Sequence, residues 1–259
     1  MRISFDNNFR AMHLKHTINS LLRPRGATLV SDWELDEFVA GRHLKRILDL
    51  YRIDCVLDVG ANLGQFRDFA VKWGWCGTVV SFEPVSEYYD EISKRASGSW
   101  TCHRYALGDE TGMQRITVFN SPGLASLREA DLNAMHALLP AGNVRRERVE
   151  TIEVRRLSQV LDQVAPGAKR ILLKIDTQGY DLEVFRGAKE VLNRVYAMWT
   201  ELSFLPIYRN MPSYSEVLSE FSNSGFAVSG MFPVNYDKSL RAIEFDCALV
   251  RGPDVTAPS

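Results

Sequence analysis

The chain has 259 residues, 46% hydrophobic and 24% charged, with 31 Lys and Arg set against 32 Asp and Glu. That length fits one large domain, or a domain with an appendage, and folding at this size buries roughly 70–75% of the surface the unfolded chain exposes. The near-neutral charge speaks against a dedicated nucleic-acid binder, and the composition excludes disordered, collagenous and disulfide-scaffold classes.

Cys55, Cys76, Cys102 and Cys247 form no CxxC pair and have no histidine at ligand spacing, the pattern of reduced thiols rather than a zinc site. Arg2, Asp6 and Arg10 interrupt the N-terminus before an apolar h-region can form, so it does not read as a secretory leader. No run approaches the roughly 18 apolar residues of a membrane span. The expectation is a cytoplasmic globule.

In chain order, Phe9, Met12, Leu14, Ile18, Leu21 and Leu22 recur at helical spacing until Pro24 and Gly26 break the pattern. A second helix starts at the N-cap candidates Ser31 or Asp32 and runs to Leu50. Residues 1–50 thus read as a helical cap, either packing on the main domain or serving as a lid or homodimer contact. From residue 53 short apolar runs alternate with amphipathic stretches. Strands are expected at Cys55–Val59, Thr78–Phe82, Cys102–Leu107, Ile171–Ile175, Ala197–Leu202, Phe226–Gly230 and Phe245–Val250. Helices fall around 64–74, 86–96, 155–164, 180–194 and 213–224. This alternation means βαβ units and a mostly parallel sheet covered on both faces, with the uninterrupted Leu172, Leu173 and Ile175 marking a central strand. The main domain spans 51–251. Within it, 115–152 is an insertion with a strand at Ile116–Phe119 and a turn at Ser121-Pro122-Gly123, placed to sit over the strand ends as an acceptor lid. Residues 252–259 read as a frayed tail.

The most informative stretch is Val56-Leu57-Asp58-Val59-Gly60-Ala61-Asn62-Leu63-Gly64-Gln65-Phe66. A strand runs into a loop with glycines four apart, and a helix start with free N–H groups follows. This is nucleotide-cofactor geometry without the GxGxxG fingerprint of a dinucleotide site. Asp58, before the glycine, is placed to take a cationic amine such as that of S-adenosylmethionine. Glu83, in Phe82-Glu83-Pro84, ends the second strand, where a carboxylate accepts both hydroxyls of a ribose. Asp109, after Ala106-Leu107-Gly108, would receive the adenine amine. Each acid alone also reads as a loop cap; three in register after successive strands favour a ligand.

With these motifs the chain resembles the FkbM-type S-adenosylmethionine-dependent methyltransferases. The resemblance continues through Leu173-Lys174-Ile175-Asp176-Thr177-Gln178-Gly179, Leu182, Glu183, Gly187-Ala188 and Thr200-Glu201-Leu202-Ser203, and covers roughly residues 53–250. Many members resemble DVEG where this chain has Asp176-Thr177-Gln178-Gly179, so an amide stands in place of a carboxylate. The resemblance implies a class I methyltransferase fold: a Rossmann-like α/β sandwich of three layers, whose seven-stranded sheet is mostly parallel with one antiparallel strand, for which Phe245–Val250 is the candidate. It also implies O-methylation of a sugar, glycolipid or natural product. Asn62, Gly64, Pro84 and Leu107 join Asp58, Gly60, Glu83 and Asp109 as the cofactor set.

Methyl transfer is an in-line displacement that depends on positioning the acceptor oxygen, and an alkyl hydroxyl needs a base as attack proceeds. Asp176, ending the fourth long strand, is the first candidate; the bland alternative is a cap for the helix near Tyr180. Lys174, on the same strand face, pairs with that acid or orients the acceptor. Glu201 is a second base or a ligand for the acceptor hydroxyl. Asp176 and Glu201 together raise a divalent metal such as magnesium. His136 is either a mobile base or a surface histidine. Tyr180, Phe204 and Tyr208 form an aromatic platform for a sugar or pack the core edge. The run Arg145-Arg146-Glu147-Arg148 meets a phosphate or lipid head group, or is a solvated face. A nicotinamide oxidoreductase on a similar sheet and a non-catalytic cofactor-binding scaffold are the rival readings.

Overall fold

The computed structural model describes residues 18–22, 24, 27–138 and 144–252. The Phe9–Leu14 half of the first expected helix and the expected frayed tail from 253 on lie outside them. Residues up to Ala40 form one compact unit and those from Gly41 a second. In the first, 18–22 are helical, and the Asn19 amide clasps Leu29 by donating to its carbonyl (3.0 Å) and accepting from its N–H (2.6 Å). A single 3-10 turn, Asp32–Glu34, follows Ser31, whose N–H donates to the Glu34 carboxylate. Helix α1 (Leu35–Leu50) continues from it, and the division between the units falls within this helix.

The second unit holds strands β1 (Cys55–Val59), β2 (Thr78–Phe82), β3 (Trp100–His103), β4 (Ala106–Leu107), β5 (Gly112–Phe119), β6 (Arg146–Arg155), β7 (Ile171–Ile175), β8 (Val195–Ser203), β9 (Phe226–Tyr236) and β10 (Ala242–Arg251). Its further helices are α2 (Gln65–Lys72), α3 (Ser86–Arg95), α4 (Leu132–Leu138), α5 (Leu157–Val164), α6 (Asp181–Gly187) and α7 (Tyr214–Asn223). The main sheet has seven strands in the order β3-β2-β1-β7-β8-β10-β9. β1 pairs in parallel with β2 and β7, whereas β10 runs antiparallel to both neighbours. Every residue of β1 and β7 is buried, as uninterrupted apolar runs in a doubly covered sheet require. One face packs Leu57, Leu173 and Met198 against Leu157, Leu161, Phe185 and Phe221 of α5, α6 and α7. On the opposite face, Phe66 and Phe69 of α2 meet the Trp199 ring at 6.1 and 6.0 Å.

One expected strand divides. Cys102–Leu107 reads as continuous, yet β3 ends at His103 and Ala106–Leu107 crosses into a second sheet of order β4-β6-β5. The break falls at the exposed Arg104, and Tyr105 turns inward against Phe82 with the Arg155 guanidinium over its ring. The basic run from Arg145 opens β6: Arg148 is tied to Glu150 (2.9 Å) and Glu87 (3.1 Å), not held free for a phosphate.

Candidate active site

Both sheets and the segment between β5 and α4 converge on a cleft of about 630 Å³, counting its part open to solvent. Its floor comes from the ends of β1, β2 and β7, with Val59, Gly60, Phe82, Glu83 and Asp176. Ile116, Pro122, Gly123, Ala125 and Leu127 close it from the 115–152 segment. Pro84, Leu107, Asn62 and Tyr180 also line it. Seven of the expected cofactor and catalytic positions therefore meet in one space: Gly60, Asn62, Glu83, Pro84, Leu107, Asp176 and, from the expected acceptor set, Tyr180. Asp58, Gly64, Asp109, Lys174 and Glu201 lie outside its lining.

Glu83 is buried at the cleft wall. Its Oε2 accepts from the Asn62 N–H (2.7 Å) and its Oε1 from the Val85 N–H (2.9 Å). Burial pushes its carboxyl up to about 8 despite these two donors, and each oxygen keeps lone-pair capacity for another donor.

Asp58 is 0% exposed and does not face the cleft. The Lys174 ammonium sits 3.1 Å from Asp58 Oδ1 and donates to the carbonyls of Gly60 (2.8 Å) and Val59 (3.3 Å). Ser81 Oγ donates to Asp58 Oδ2 (3.4 Å) and accepts from Trp100 Nε1 (3.0 Å). Asp58 thus anchors the underside of the glycine loop, and a ligand's amine does not reach it directly. Lys174, 6% exposed, is taken up by the Asp58 ion pair and the two loop carbonyls and lies outside the cleft lining, so it is not placed to orient an acceptor. Burial by itself lowers an ammonium's pKa; the Asp58 and Asp176 carboxylates outweigh it, and the Lys174 value is raised.

The glycine loop approaches the protein's own backbone, not only a ligand. Gly60 has φ +71°, and a Cβ there would lie 1.9 Å from the Asp176 carbonyl oxygen. Gly64 has φ +85° and seats against the Trp100 ring. Gly60→Ala is expected to cost about 1–3 kcal/mol from backbone strain alone, with the clash added. Thermal unfolding checks this, and a variant as stable as wild type would show that the loop relaxes freely.

Asp176, its side chain 37% exposed, follows β7, across β1 from Glu83 at the end of β2, and lines the same cleft. Its Oδ1 accepts from Gln178 Nε2 (3.0 Å), and Lys174 Nζ lies 3.7 Å from its Oδ2. It does not cap α6. That turn is organised by Asp181, which accepts from the Thr177 N–H (2.9 Å), the Thr177 hydroxyl (3.1 Å) and the Gly179 N–H (3.2 Å). Burial raises the Asp181 carboxyl to about 6. Glu201 is joined to Asp176 through Gln178, whose Nε2 also donates to Glu201 Oε2 (2.9 Å). Glu201 lines a separate small cavity with Asp181, Met211 and Tyr214.

This bridging amide also corrects the metal expectation. Gln178 Nε2, a donor, occupies the position between the Asp176 and Glu201 carboxylates where a cation would sit. Among the described residues no group of three or more His, Cys, Asp or Glu converges as a ligand set.

The acceptor side chains need similar correction. Tyr208 is 3% exposed among Phe119, Met135, Val144 and Ile207. Its hydroxyl lies 2.9 Å from the Leu124 carbonyl and 3.1 Å from Gln178 Oε1; it packs and offers no platform. Phe204 stacks on Tyr214 at 4.1 Å. His136 Nε2 is tied to the Val144 carbonyl at 2.7 Å, away from the cleft lining, and so is not a mobile base. Tyr180 alone of these rings lines the cleft.

Two residues absent from the sequence reading fix the wall. Buried Ser126 donates to the Gln178 carbonyl (2.7 Å). Arg128 donates to the carbonyls of Gly179 and Asn210 and to Glu183. Asn62 joins the same wall through Nδ2, which donates to the Pro122 carbonyl (3.0 Å).

The strand order, its antiparallel β10 and a ligand cleft at the carboxyl ends of β1, β2 and β7 define a class I methyltransferase. A family model described as the methyltransferase FkbM domain matches residues 58–228, and the chain belongs to that family. Methyltransferase sdnD of Sordaria araneosa is 28% identical over 194 residues, 63% of this chain and 73% of that protein. The 31-O-demethyl-FK506 methyltransferase FkbM of Streptomyces tacrolimicus is 27% identical over 208 residues, 68% of this chain and 78% of that protein. A solved methyltransferase FkbM from Methylobacillus flagellatus KT aligns at 14% identity with a TM-score of 0.44 over 76% of this chain, which spans 43% of that chain. The protein is therefore an enzyme of the methyltransferase class. Among the described residues no helix is long and apolar enough to cross a membrane.

Proposed function

We propose that the protein transfers a methyl group from S-adenosylmethionine to a hydroxyl of a sugar, glycolipid or natural product, with Asp176 as base. The observation that carries this reading is one cleft lined by both buried Glu83 and half-exposed Asp176, on strands either side of β1. The donor set fits the cofactor. The carboxylate of Glu83 suits a ribose diol, and Phe82, Tyr88, Leu107 and Ile116 give the apolar walls a purine needs. Asp58 and Lys174 support the glycine loop from within the sheet. When bound, the cofactor supplies an electrophilic methyl carbon on a sulfonium that leaves as a neutral thioether. As the acceptor oxygen forms its bond to that carbon, its proton passes to an oxygen of Asp176 and then to solvent. Oxygen is favoured over nitrogen because Asp176-Thr177-Gln178-Gly179 stands where amine and amide methylases of related sheets carry an NPPY-type sequence. The Streptomyces relative, named for a 31-O-demethyl substrate, supports the same choice.

Calorimetric titration of the dialysed protein with S-adenosylhomocysteine tests the reading: micromolar binding is expected, and folded protein that binds none would sink it. A sharper test uses adenosine, which carries no group titrating between about pH 6 and 9. Diol donors stabilise ionised Glu83, so binding releases its proton wherever the free protein still holds it. With the free carboxyl near 8, adenosine affinity should rise about tenfold from pH 6.5 to 8 and level off above. Glu83→Gln should flatten that dependence and cost about 1–3 kcal/mol of binding. Pronounced pH dependence surviving in Glu83→Gln would remove the ribose assignment.

A further inference from the structure

Gln178 is placed at some conformational cost. Its φ of +54° lies in the left-handed region, which a side chain with a Cβ occupies unfavourably. The surroundings hold it there from every side. Its carbonyl accepts from the buried Ser126 hydroxyl, and its Oε1 lies within hydrogen-bond distance of the Tyr208 hydroxyl. Both Nε2 hydrogens are used, one on Asp176 and one on Glu201. The direction of this amide is fixed by chemistry: carboxylates accept, so the nitrogen must face them and the oxygen must face the tyrosine.

The two carboxylates so joined are not equivalent. Asp176 opens on the cleft, whereas Glu201 lines the smaller cavity behind it. The groups surrounding the pair are Lys174 on β7, Asp58 on β1, Asp181 at the start of α6, Glu244 and Asp246 on β10, and the Tyr208 hydroxyl. Only Lys174 among them is cationic, and it is ion-paired with Asp58 and donates to two carbonyls. Gln178 is therefore the neutral donor that lets two acids stand together at the cleft wall.

We propose that Gln178 is a positioning residue whose amide locks Asp176 and Glu201 into one unit and presents Asp176, not Glu201, to the acceptor's proton. This rests on the reading of Asp176 as base. Burial and the neighbouring carboxylates already push Glu201 well above the usual carboxylate range.

The test needs no acceptor. Protein labelled with ¹³C at Asp and Glu carboxyl carbons is titrated by NMR with S-adenosylhomocysteine present, and Asp176→Asn and Glu201→Gln assign the two signals. Gln178→Met keeps the side chain's length without its donor; Gln178→Glu keeps its shape and adds a like charge. Both variants should move the Asp176 midpoint upward, by one pH unit or more in Gln178→Met and further in Gln178→Glu, since the ionised acid loses its donor. Circular dichroism and thermal unfolding establish that each variant is folded. Asp176 midpoints within about 0.3 units of wild type in both folded variants would overturn the proposal, whatever Asp176 does in turnover. Shifted midpoints alongside undiminished turnover in Asp176→Asn would keep the lock and overturn the base.

Discussion

Lys174→Met is expected to lower unfolding stability by about 3–5 kcal/mol, the cost of leaving one member of a buried ion pair alone. Asp58 is 0% exposed and its ammonium partner stands 3.1 Å away. The only other donor to Asp58 is the Ser81 hydroxyl at a long 3.4 Å among the hydrogen bonds described for that carboxylate. Without the lysine, the Gly60 carbonyl also loses this donor, while the Val59 carbonyl keeps the Asp176 N–H (3.1 Å). The sign of the pH response separates this mechanism from simple loss of packing. In wild type the Lys174 pKa is raised above its unfolded value, so the pair's contribution is complete at neutral pH and is lost only as pH climbs past the ordinary lysine range. In Lys174→Met the buried Asp58 is left without a cation and favours its protonated form. The variant should therefore regain stability as pH falls toward the ordinary carboxylate range, measured by urea unfolding. Adding Asp58→Asn should restore much of the loss at neutral pH, because no buried charge then remains. Equal losses in the single and double variants would show that the pair is not the cause.

Elements defined by local apolar pattern were legible in the sequence. β1, β2 and β7 have the expected limits because each is a short buried run bounded by turn residues. The antiparallel β10 falls where Phe245–Val250 is expected, and the helices after β1 and β2 start within a residue or two of their expected positions. The division of 102–107 between two sheets was not legible, since Ala106 and Leu107 are apolar whichever neighbour they pair with. Glu83 and Asp176 could be placed because strand ends in such a sheet open on the ligand cleft. Asp58 stands two residues further back in register: its partners are Ser81 and Lys174, two residues short of Glu83 and Asp176. It therefore lies inside the sheet against Lys174 on β7 and not beyond the strand ends. That pairing depends on strand order, which no local pattern contains. The contributions of Ser126 and Arg128 were hidden for a related reason. Each lies about 50 residues from the loop it holds, in a segment whose turn chemistry gave its position but not its contacts.

Asp176→Asn is expected to reduce methyl transfer about a hundredfold or more while leaving S-adenosylhomocysteine affinity within about twofold. Asparagine keeps the shape, and its Oδ1 can still accept from Gln178 Nε2, so the loop behind it need not move. What it removes is the oxygen that takes the acceptor's proton. Glu201 cannot take over readily: it lies on the far side of Gln178 and lines a different cavity. Burial and the neighbouring carboxylates push its carboxyl above the usual range, which disfavours the ionised form a base needs. Glu201→Gln should consequently have the smaller effect, and its loss should appear in the pH dependence of turnover more than in its maximum. The assay is transfer of labelled methyl to acceptors found by screening hydroxylated sugars and natural products with the wild-type enzyme. Turnover within about threefold of wild type in Asp176→Asn, with Glu201→Gln inactive, would reverse the two roles. The proton would then leave through the smaller cavity, and the acceptor would have to approach from the Met211 and Tyr214 side of the Gln178 loop.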